Sequence, residues 1–407
     1  MSSILAERYD AVLVDLDGVM YRGSEAVPGS AAVVDKVRAL GTPLLFLTNN
    51  SSRTPEAVAA RLEEMGVPVS PAEVLTSAVA TAVMLENEGV GGQTAFVVGE
   101  EGIKTALAGV GVSIQEGEPQ GVDLVVVGID RSADYAKLRT ASLLVERGAR
   151  LIATNGDGSY PAPDGLWPGA GALLAAVVAT TGASPVIVGK PSRPLFEAAQ
   201  NITGARAPLV VGDRLDTDIA GAAAMGWDSL LVWTGAAEPK ELVATSHLPT
   251  YVGSDVSVLL HDVAPARFRP ANTDDAPGIE QLVSASGLNA AGTEQRLPTT
   301  IVCGNDGRLT ATACVEDFGS TGLLRSVAVR DDLRGQGLGL LVVAAALHEA
   351  GRRGIHDAAL FTESAAPFFE RLGFRRIDRS ELPAFIQESA QAAGECAASA
   401  AAMTLVL

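Results

Sequence analysis

Short apolar runs alternate with amphipathic stretches along the first two thirds of the chain. The runs AVLVDLD (11–17), TPLLFLTNN (42–50) and APLVVGDRLDTD (207–218) begin apolar and end in polar residues. Between them, SAAVVDKVRALG (30–41) and TPEAVAARLEEMG (54–66) have apolar residues at helical spacing. In the second stretch Thr54 is placed to cap a helix and Pro55 falls in its first turn. The alternation predicts βαβ units around a parallel sheet.

Residues 81–183 repeat this alternation, with strands predicted in TAFVVG (94–99), GVDLVVVG (121–128) and RLIATN (150–155). We interpret them as a second α/β layer inserted between two parts of a core, 1–80 and 184–264. A segment around Pro265 predicts a domain boundary, after which residues 265–407 form a third unit. The Ala-rich tail QAAGECAASAAAM (391–403) is compatible with a last strand or with a poorly ordered end.

Polar side chains follow the predicted strands where each strand ends: Asp15 and Asp17, Thr48 and Asn49, Lys190, and Asp213. Since the carboxyl ends of parallel strands line one crevice, four separate segments are expected to meet there.

Asp15 and Asp17 are the first of these strand-end groups. We expect the two side chains to point in different directions at the exit of the strand, so that one can attack a substrate while the other moves protons. Two such acids raise each other's pKa unless a cation lies nearby, and Mg²⁺ prefers carboxylate and phosphate oxygens. Gly18 lets the chain turn at once. An isolated DxD is usually a pair of surface carboxylates, so the hypothesis depends on all four segments together.

The segments DLDG, TNNSS, GKPS and GDRLDTD, in this order, resemble the motifs of the haloacid dehalogenase (HAD) superfamily of phosphatases. The similarity covers residues 9–262 and is strongest to the branch with nitrophenylphosphatase-like, phosphoglycolate-type and glycerol-phosphate phosphatases. It implies an α/β fold, in which a Rossmann-like core with a parallel sheet carries an inserted α/β cap. It also implies Mg²⁺-dependent hydrolysis of a small phosphate monoester, such as glycerol 3-phosphate or phosphoglycolate.

The resemblance also implies roles for individual residues. Asp15 would be the nucleophile that forms a phosphoaspartate, and Asp17 the acid and base that serves the leaving group and the water. The metal-binding set would be Asp15, Asp17 through its carbonyl, Asp213 and Asp218. The phosphate-binding and substrate-binding set would be Thr48, Asn49, Asn50, Asn155, Asp157 and Lys190.

Several of these residues have simpler interpretations. Lys190 could be a surface lysine beside a turn, Asn50 could only form a turn, and Asp218 could cap the helix that follows it. Thr154, Asn155 and Asp157 resemble a cap motif that faces substrate, but Asn-Gly and Asp-Gly also make ordinary turns.

In the last third, VRDDLRGQGLG (329–339) predicts a strand, a glycine-rich loop and a helix. Such a loop exposes backbone N–H groups at the positive end of a helix, where a pyrophosphate can bind. With APFFERLGF (366–374) and FRPANTDDAPGIEQLV (268–283), this segment resembles the GNAT acetyltransferase family over residues 267–407. The resemblance implies an α+β domain that binds acetyl-CoA through Val327, Val329, Arg334, Gly335, Gln336, Gly337, Leu338 and Gly339.

One departure from that family concerns catalysis. Phe368 and Phe369 stand where many relatives have a tyrosine that acts as general acid, and a phenyl ring cannot donate a proton. We expect Phe369 to pack in the core. An active acetyltransferase, an acetyl-CoA sensor and a degenerate structural domain all remain open, as does the alternative that N-acetyl transfer to a small amine or amino acid is the main activity.

The composition of the chain limits the classes of molecule that it is expected to bind and the compartment that it is expected to occupy. The chain has 407 residues and a formal net charge of −18, which argues against nucleic acids and anionic membranes. Cys303, Cys314 and Cys396 lack metal-ligand spacing and are expected to be free thiols in a reducing cytosol. No leader and no run of about 18 apolar residues is visible, so we expect a cytoplasmic protein. Whether it forms a homo-oligomer, and whether its modules communicate, is left open.

Overall fold

The computed structural model describes residues 4–162, 164–305, 308–389 and 399–407. The chain divides into two compact units, Met1–Gly235 with Ser254–Asp262, and Ala236–Gly253 with Val263–Leu407. The second unit therefore resumes close to the boundary predicted at Pro265. Residues 236–253 group with this second unit, although their position before Pro265 places them in the predicted core.

The first unit contains fourteen strands and eight helices among its described residues. The strands are β1 (Val12–Asp15), β2 (Tyr21–Arg22), β3 (Glu25–Ala26), β4 (Leu44–Thr48), β5 (Val74–Thr76), β6 (Thr94–Val98), β7 (Ser113–Ile114), β8 (Leu124–Val127), β9 (Arg150–Ala153), β10 (Ser159–Ala162), β11 (Gly165–Pro168), β12 (Val186–Ile187), β13 (Leu209–Gly212) and β14 (Asp228–Val232). The helices are α1 (Ser30–Ala39), α2 (Pro55–Glu64), α3 (Ser77–Asn87), α4 (Glu101–Gly109), α5 (Tyr135–Glu146), α6 (Ala170–Thr181), α7 (Arg193–Thr203) and α8 (Ala220–Met225).

Five parallel strands of this unit lie side by side in one sheet, the first sheet, in the order β14, β13, β1, β4, β5. Every residue of the central strand β1 is buried, as expected for a parallel strand covered on both faces. The predicted helix start at Thr54 is also observed, since its hydroxyl accepts a hydrogen bond from Ala57 N at 3.4 Å. The prediction of an α/β fold with a parallel sheet is confirmed.

A second parallel sheet has the strand order β12, β9, β8, β6, β7. It contains the three strands predicted within residues 81–183. The strand before Lys190, β12, falls within the predicted second part of the core, 184–264, but it pairs with β9 in this sheet. Local periodicity shows that a strand forms but does not show which sheet it joins. We therefore propose that the inserted layer extends to Ile187, four residues beyond the predicted limit.

The second unit contains an α+β arrangement. Its strands are β15 (Tyr251–Gly253), β16 (Phe268–Pro270), β17 (Thr300–Asn305), β18 (Arg308–Phe318), β19 (Thr321–Val329), β20 (Asp357–Thr362), β21 (Arg375–Ile377) and β22 (Ala401–Val406). Its helices are α9 (Ala276–Ala285), α10 (Thr293–Arg296), α11 (Leu338–Arg352), α12 (Ala366–Arg371) and α13 (Ala384–Gln387).

Seven of these strands form one sheet, in the order β16, β17, β18, β19, β20, β22, β21. All neighbours are antiparallel except β19 and β20, which run parallel and pair only over Thr321–Leu323 and Asp357–Ala359. The end of the Ala-rich tail is thus a strand, β22.

Two further expectations concern thiols and membranes. Cys303 and Cys314 are buried free thiols, and Cys396 lies outside the described residues. Among the residues that the structure describes, no helix combines the length and apolar character that crossing a bilayer requires.

Candidate active site

Four charged side chains converge at the carboxyl ends of β1 and β13. Lys190 Nζ contacts Asp15 Oδ1 and lies 2.7 Å from Asp218 Oδ1. Asp15, Asp213 and Asp218 each offer a carboxylate oxygen within 4.8 Å of the others. All four side chains are buried. Residues up to 203 positions apart in the sequence, Asp15 and Asp218, therefore share one crevice.

The electrostatics of this crevice are dominated by an excess of carboxylates over ammonium groups. Burial raises the pKa of Asp15 well above its ordinary value; Lys190 opposes this rise, and the carboxylates of Asp218 and Asp213 add to it. For Lys190, burial alone lowers the pKa, but Asp15 and Asp218 outweigh it and raise that pKa above its ordinary value. Lys190 is thus held as an ammonium, and further positive charge nearby would favour the ionised form of Asp15.

The donor set fits a hard divalent cation such as Mg²⁺. Carboxylate oxygens are the ligands this ion prefers, and three of them lie close together in Asp15, Asp213 and Asp218. A divalent charge would also balance the two negative charges that Lys190 leaves uncompensated. Asp218 additionally accepts a hydrogen bond from Arg214 N at 3.3 Å, which fixes its carboxylate in the turn before α8.

Two glycines allow the close packing around Asp213. A Cβ on Gly18 would lie 2.2 Å from Asp213 Oδ2, and one on Gly235 only 1.8 Å from the same atom. Gly18 also has φ +81°, where residues with a side chain are strained. Thr234 Oγ1 donates to Gly18 O at 2.6 Å and ties the two segments together. The Asp213 carboxylate is therefore enclosed by backbone that tolerates no side chain.

Asp17 lies at the edge of this crevice. Its side chain is exposed, so a ligand can reach it. The neighbouring protein nevertheless removes enough water to raise the pKa of Asp17, and the hydrogen bond from Tyr21 partly opposes the rise. Tyr21 Oη donates to Asp17 Oδ2 at 3.1 Å. A carboxyl that is accessible and has a raised pKa is suited to donating a proton.

The loop after β4 is shaped by its own polar groups. Thr48 Oγ1 accepts from Asn50 N at 3.1 Å, and Asn50 Oδ1 accepts from Ser52 N at 3.0 Å. Asn50 therefore builds the turn, as the simpler interpretation proposed, and it also lines a cleft together with Thr48. Its predicted contact with substrate stays a prediction.

The Asn49 side chain joins the two sheets of the first unit. Its Oδ1 accepts from Lys190 N at 2.8 Å, and its Nδ2 donates to Lys190 O at 3.0 Å and to Asp157 Oδ2 at 2.9 Å. Both ends of the side-chain amide are thus engaged. Since that amide orients the Lys190 backbone, a phosphate contact from Asn49 would have to come from its main chain.

The segment after β9 faces this loop rather than forming an isolated turn. Asn155 Nδ2 donates to Asp157 Oδ2 at 2.6 Å, and Thr154 Oγ1 donates to Ser51 Oγ at 2.9 Å. Thr154, Asn155 and Ser51 are buried. The second sheet therefore contacts the loop that carries Thr48, which places Asn155 and Asp157 beside the crevice.

In the second unit, the glycine-rich loop lies between β19 and α11 as predicted. Val327 and Val329 are on β19, Arg334, Gly335 and Gln336 are in the loop, and Leu338 and Gly339 begin α11. Gly337, the residue before the helix, is in contact with Val252, whose Cγ2 would lie 1.8 Å from a Cβ at that position. The side chain of Gln336 accepts a hydrogen bond from Ala264 N at 3.1 Å. The chain itself thus covers part of this loop.

The two phenylalanines of α12 pack against each other through their aromatic rings. Phe369 is buried and packs edge-to-face on Phe368 and Phe374, with ring centroids 5.0 and 5.7 Å away. The expectation that Phe369 belongs to the core is confirmed.

Comparison with known protein families gives matches in both units of the chain. Residues 12–113 match the model of haloacid dehalogenase-like hydrolases, and residues 187–259 match a HAD-hydrolase-like model. An acid sugar phosphatase of Staphylococcus haemolyticus is 38% identical over 259 residues, which are 63% of this chain and 97% of that protein. The chain belongs to the HAD-like hydrolase family. Residues 297–376 match a GNAT acetyltransferase domain.

Solved structures show the same HAD fold. A glycerol phosphate phosphatase from Mycobacterium tuberculosis, in complex with magnesium, has a TM-score of 0.72 at 29% identity, covering 91% of this chain and 99% of that one. A p-nitrophenyl phosphatase from Archaeoglobus fulgidus has a TM-score of 0.58 at 32% identity, covering 62% of this chain and 97% of that one. The first similarity extends over both units.

Several residues around the HAD site escaped the sequence analysis. Tyr21, Ser51 and Gly235 have no charge that draws attention to them, and Gly235 follows β14 without a motif. Gly235 could have been predicted to lie near the site from its position, since β14 ends at the same edge of the sheet as β1 and β13. The partners of Asn49 had no signal in the sequence, because they lie 108 and 141 residues away.

Proposed function

We propose that the first unit hydrolyses small phosphate monoesters in a Mg²⁺-dependent reaction, through a phosphoaspartate formed on Asp15. The observation that supports this most is the buried convergence of Asp15, Asp213 and Asp218 around the Lys190 ammonium. Membership of the HAD-like hydrolases, with phosphatases among the relatives, supports the same reaction class.

In the first step, an oxygen of Asp15 attacks phosphorus and the bond to the leaving-group oxygen breaks. Asp17 gives its proton to that oxygen, which would otherwise depart as a basic alkoxide. Lys190 and the Thr48 hydroxyl stabilise the negative charge on the transferring phosphoryl oxygens. The buried position of Lys190 strengthens this effect, because few water molecules compete with it.

In the second step, Asp17 takes a proton from water, which attacks the phosphoaspartate and releases phosphate and the free Asp15 carboxylate. Asp15, Asp213, Asp218 and the Asp17 carbonyl would hold Mg²⁺. When bound, that ion supplies the charge that offsets repulsion between the carboxylates and an anionic phosphate.

We infer that the leaving group is a small polyol. The relative from Staphylococcus haemolyticus is described as an acid sugar phosphatase, and the neighbour from Mycobacterium tuberculosis as a glycerol phosphate phosphatase. The layer that contains β9 would act as a cap, since Asp157 and Thr154 contact the loop that carries Thr48. Such a cover excludes water and selects the leaving group by shape.

A panel of phosphate esters tests this proposal. With Mg²⁺, the full chain is expected to release phosphate from glycerol 3-phosphate and sugar phosphates faster than from phosphoglycolate, whose second negative charge adds to the acidic surroundings of the site. Phosphate release is measured at matched concentrations with Mg²⁺ and with EDTA. Equal rates in EDTA would remove the metal from the proposal, and a preference for phosphoglycolate would reject the polyol assignment.

For the second unit, we propose that acetyl-CoA binds only when Val252 moves away from Gly337. The expected ligand needs the backbone N–H groups of the glycine-rich loop, and Val252 and Ala264 already contact that loop. With no proton donor at Phe368 or Phe369, these contacts favour a sensor or structural domain over an active acetyltransferase. Hydrolysis therefore remains the leading function.

The variant Val252→Ala is expected to tighten acetyl-CoA binding about tenfold, equivalent to about 1.4 kcal/mol, because it removes the methyl groups that face Gly337. Isothermal titration calorimetry compares it with the wild type and with Val243→Ala, a control in the same segment. Tight binding by the wild type, unchanged in Val252→Ala, would show that the valine does not obstruct the site.

A further inference from the structure

Tyr21 lies four residues after Asp17 in the chain and contacts it in space. Backbone and side chain both connect the two: Asp17 and Tyr21 form a β-bridge, Gly18 N donates to Tyr21 O at 2.8 Å, and Tyr21 Oη donates to Asp17 Oδ2 at 3.1 Å. Tyr21 is buried, with 5% of its surface exposed. A buried ring on a short hairpin has few alternative positions, so its hydroxyl is a fixed donor.

Arg61 of α2 holds Tyr21 from the other side. Its guanidinium carbon lies 4.9 Å from the centre of the Tyr21 ring, within the range of a cation–π interaction. Its Nη2 also donates to Gly23 O at 2.5 Å, on the same hairpin. Arg61 thereby fastens the hairpin β2–β3 to α2, and both side chains line the cleft that includes Thr48.

We propose that Tyr21 is a positioning residue that orients Asp17 toward the leaving-group oxygen, and that Arg61 keeps Tyr21 in place. The proposal rests on the proposed phosphatase function. Because Tyr21 donates to Oδ2, the acidic proton of Asp17 is carried by Oδ1. That proton moves to the leaving-group oxygen as the phosphorus–oxygen bond breaks and the bond from Asp15 to phosphorus forms.

This role predicts a dependence on the leaving group. The alkoxide of glycerol is strongly basic and needs a proton as it leaves, whereas p-nitrophenolate is weakly basic and leaves without one. The ratio kcat/KM reports on the steps up to departure of the leaving group. Poor orientation of Asp17 should therefore lower kcat/KM for glycerol 3-phosphate and spare kcat/KM for p-nitrophenyl phosphate.

The test compares both substrates in Tyr21→Phe, Arg61→Gln and Arg22→Gln. Tyr21→Phe keeps the ring and is expected to lower kcat/KM for glycerol 3-phosphate about tenfold, a part of the roughly 10²–10⁴-fold that general acid catalysis contributes. For p-nitrophenyl phosphate the change should stay within about twofold, which also shows that the variant is folded. Arg61→Gln should also lower kcat/KM for glycerol 3-phosphate more than kcat/KM for p-nitrophenyl phosphate, but by a smaller factor than Tyr21→Phe does. Arg22, exposed on the same hairpin, is the control and should change neither value.

An equal loss for both substrates would mean that Tyr21 supports only the local structure, and no loss for either would mean that Asp17 needs no such partner. Each result overturns the proposal. Failure of the proposed function itself looks different, since the wild type would then release phosphate from neither ester, and this would overturn both.

Discussion

Replacing Asp15 by Asn is expected to lower phosphate release from every ester by at least about 10³-fold, since loss of a nucleophile can cost an enzyme up to about 10⁶-fold. An amide of similar shape cannot attack phosphorus to give the acyl phosphate, so the first step is lost. Folding should be retained, because the substitution removes one negative charge from a buried cluster that already has an excess of carboxylates. Steady-state phosphate release and thermal denaturation measure the two effects.

The matched control for this variant is Asp216→Asn. Asp216 lies three residues after Asp213, but its carboxylate is 68% exposed and pairs with Arg214 at the surface. We expect it to retain most of the activity. If Asp15→Asn kept more than a few per cent of the wild-type rate in a preparation free of wild-type protein, the phosphoaspartate route would have to be abandoned.

Replacing Lys190 by Met should affect both activity and stability. Lys190 is 4% exposed and contacts two buried carboxylates, so the variant leaves both without their cation. Breaking a buried ion pair from one side typically costs about 3–5 kcal/mol. The rate should fall by about 10²–10³-fold, since a donor aimed at the developing charge is lost.

Adding Mg²⁺ distinguishes the loss of stability in Lys190→Met from its loss of activity. The ion should raise the Tm of Lys190→Met more than that of the wild type, because it can replace part of the missing positive charge beside Asp15 and Asp218. Denaturation with Mg²⁺ and with EDTA measures this difference, and the exposed Lys36→Met serves as the control. A variant with wild-type stability in EDTA would contradict the ion-pair argument, whatever its activity.

The glycines of the crevice illustrate how much the sequence shows by itself. Gly18 follows Asp17 in a recognisable motif, and its tight turn was expected. Gly235 lies in no motif, yet a side chain there would collide with Asp213 at 1.8 Å. The difference is that Gly18 directly follows Asp17 along the chain, whereas Gly235 is distant in sequence and lies beside Asp213 only in space.

The order of strands and helices, and the polar residues that end β1, β4 and β13, were predictable from the sequence. Apolar periodicity is a local property, and parallel strands bring their carboxyl ends to one edge of the sheet wherever they lie in the chain. This reasoning placed Asp15, Thr48 and Asp213 at one edge before any distance was known.

Only the tertiary structure decided which sheet β12 joins, what the Asn49 side chain binds, and what covers Gly337. Asn49 and Lys190 are 141 residues apart, and their contact depends on how the second sheet packs against the loop after β4. The same holds for Tyr21 and Arg61, whose pairing requires α2 to lie beside the hairpin. Local patterns determine which elements form and what chemistry they carry; the packing of distant elements, which no short stretch of sequence encodes, determines which side chains meet.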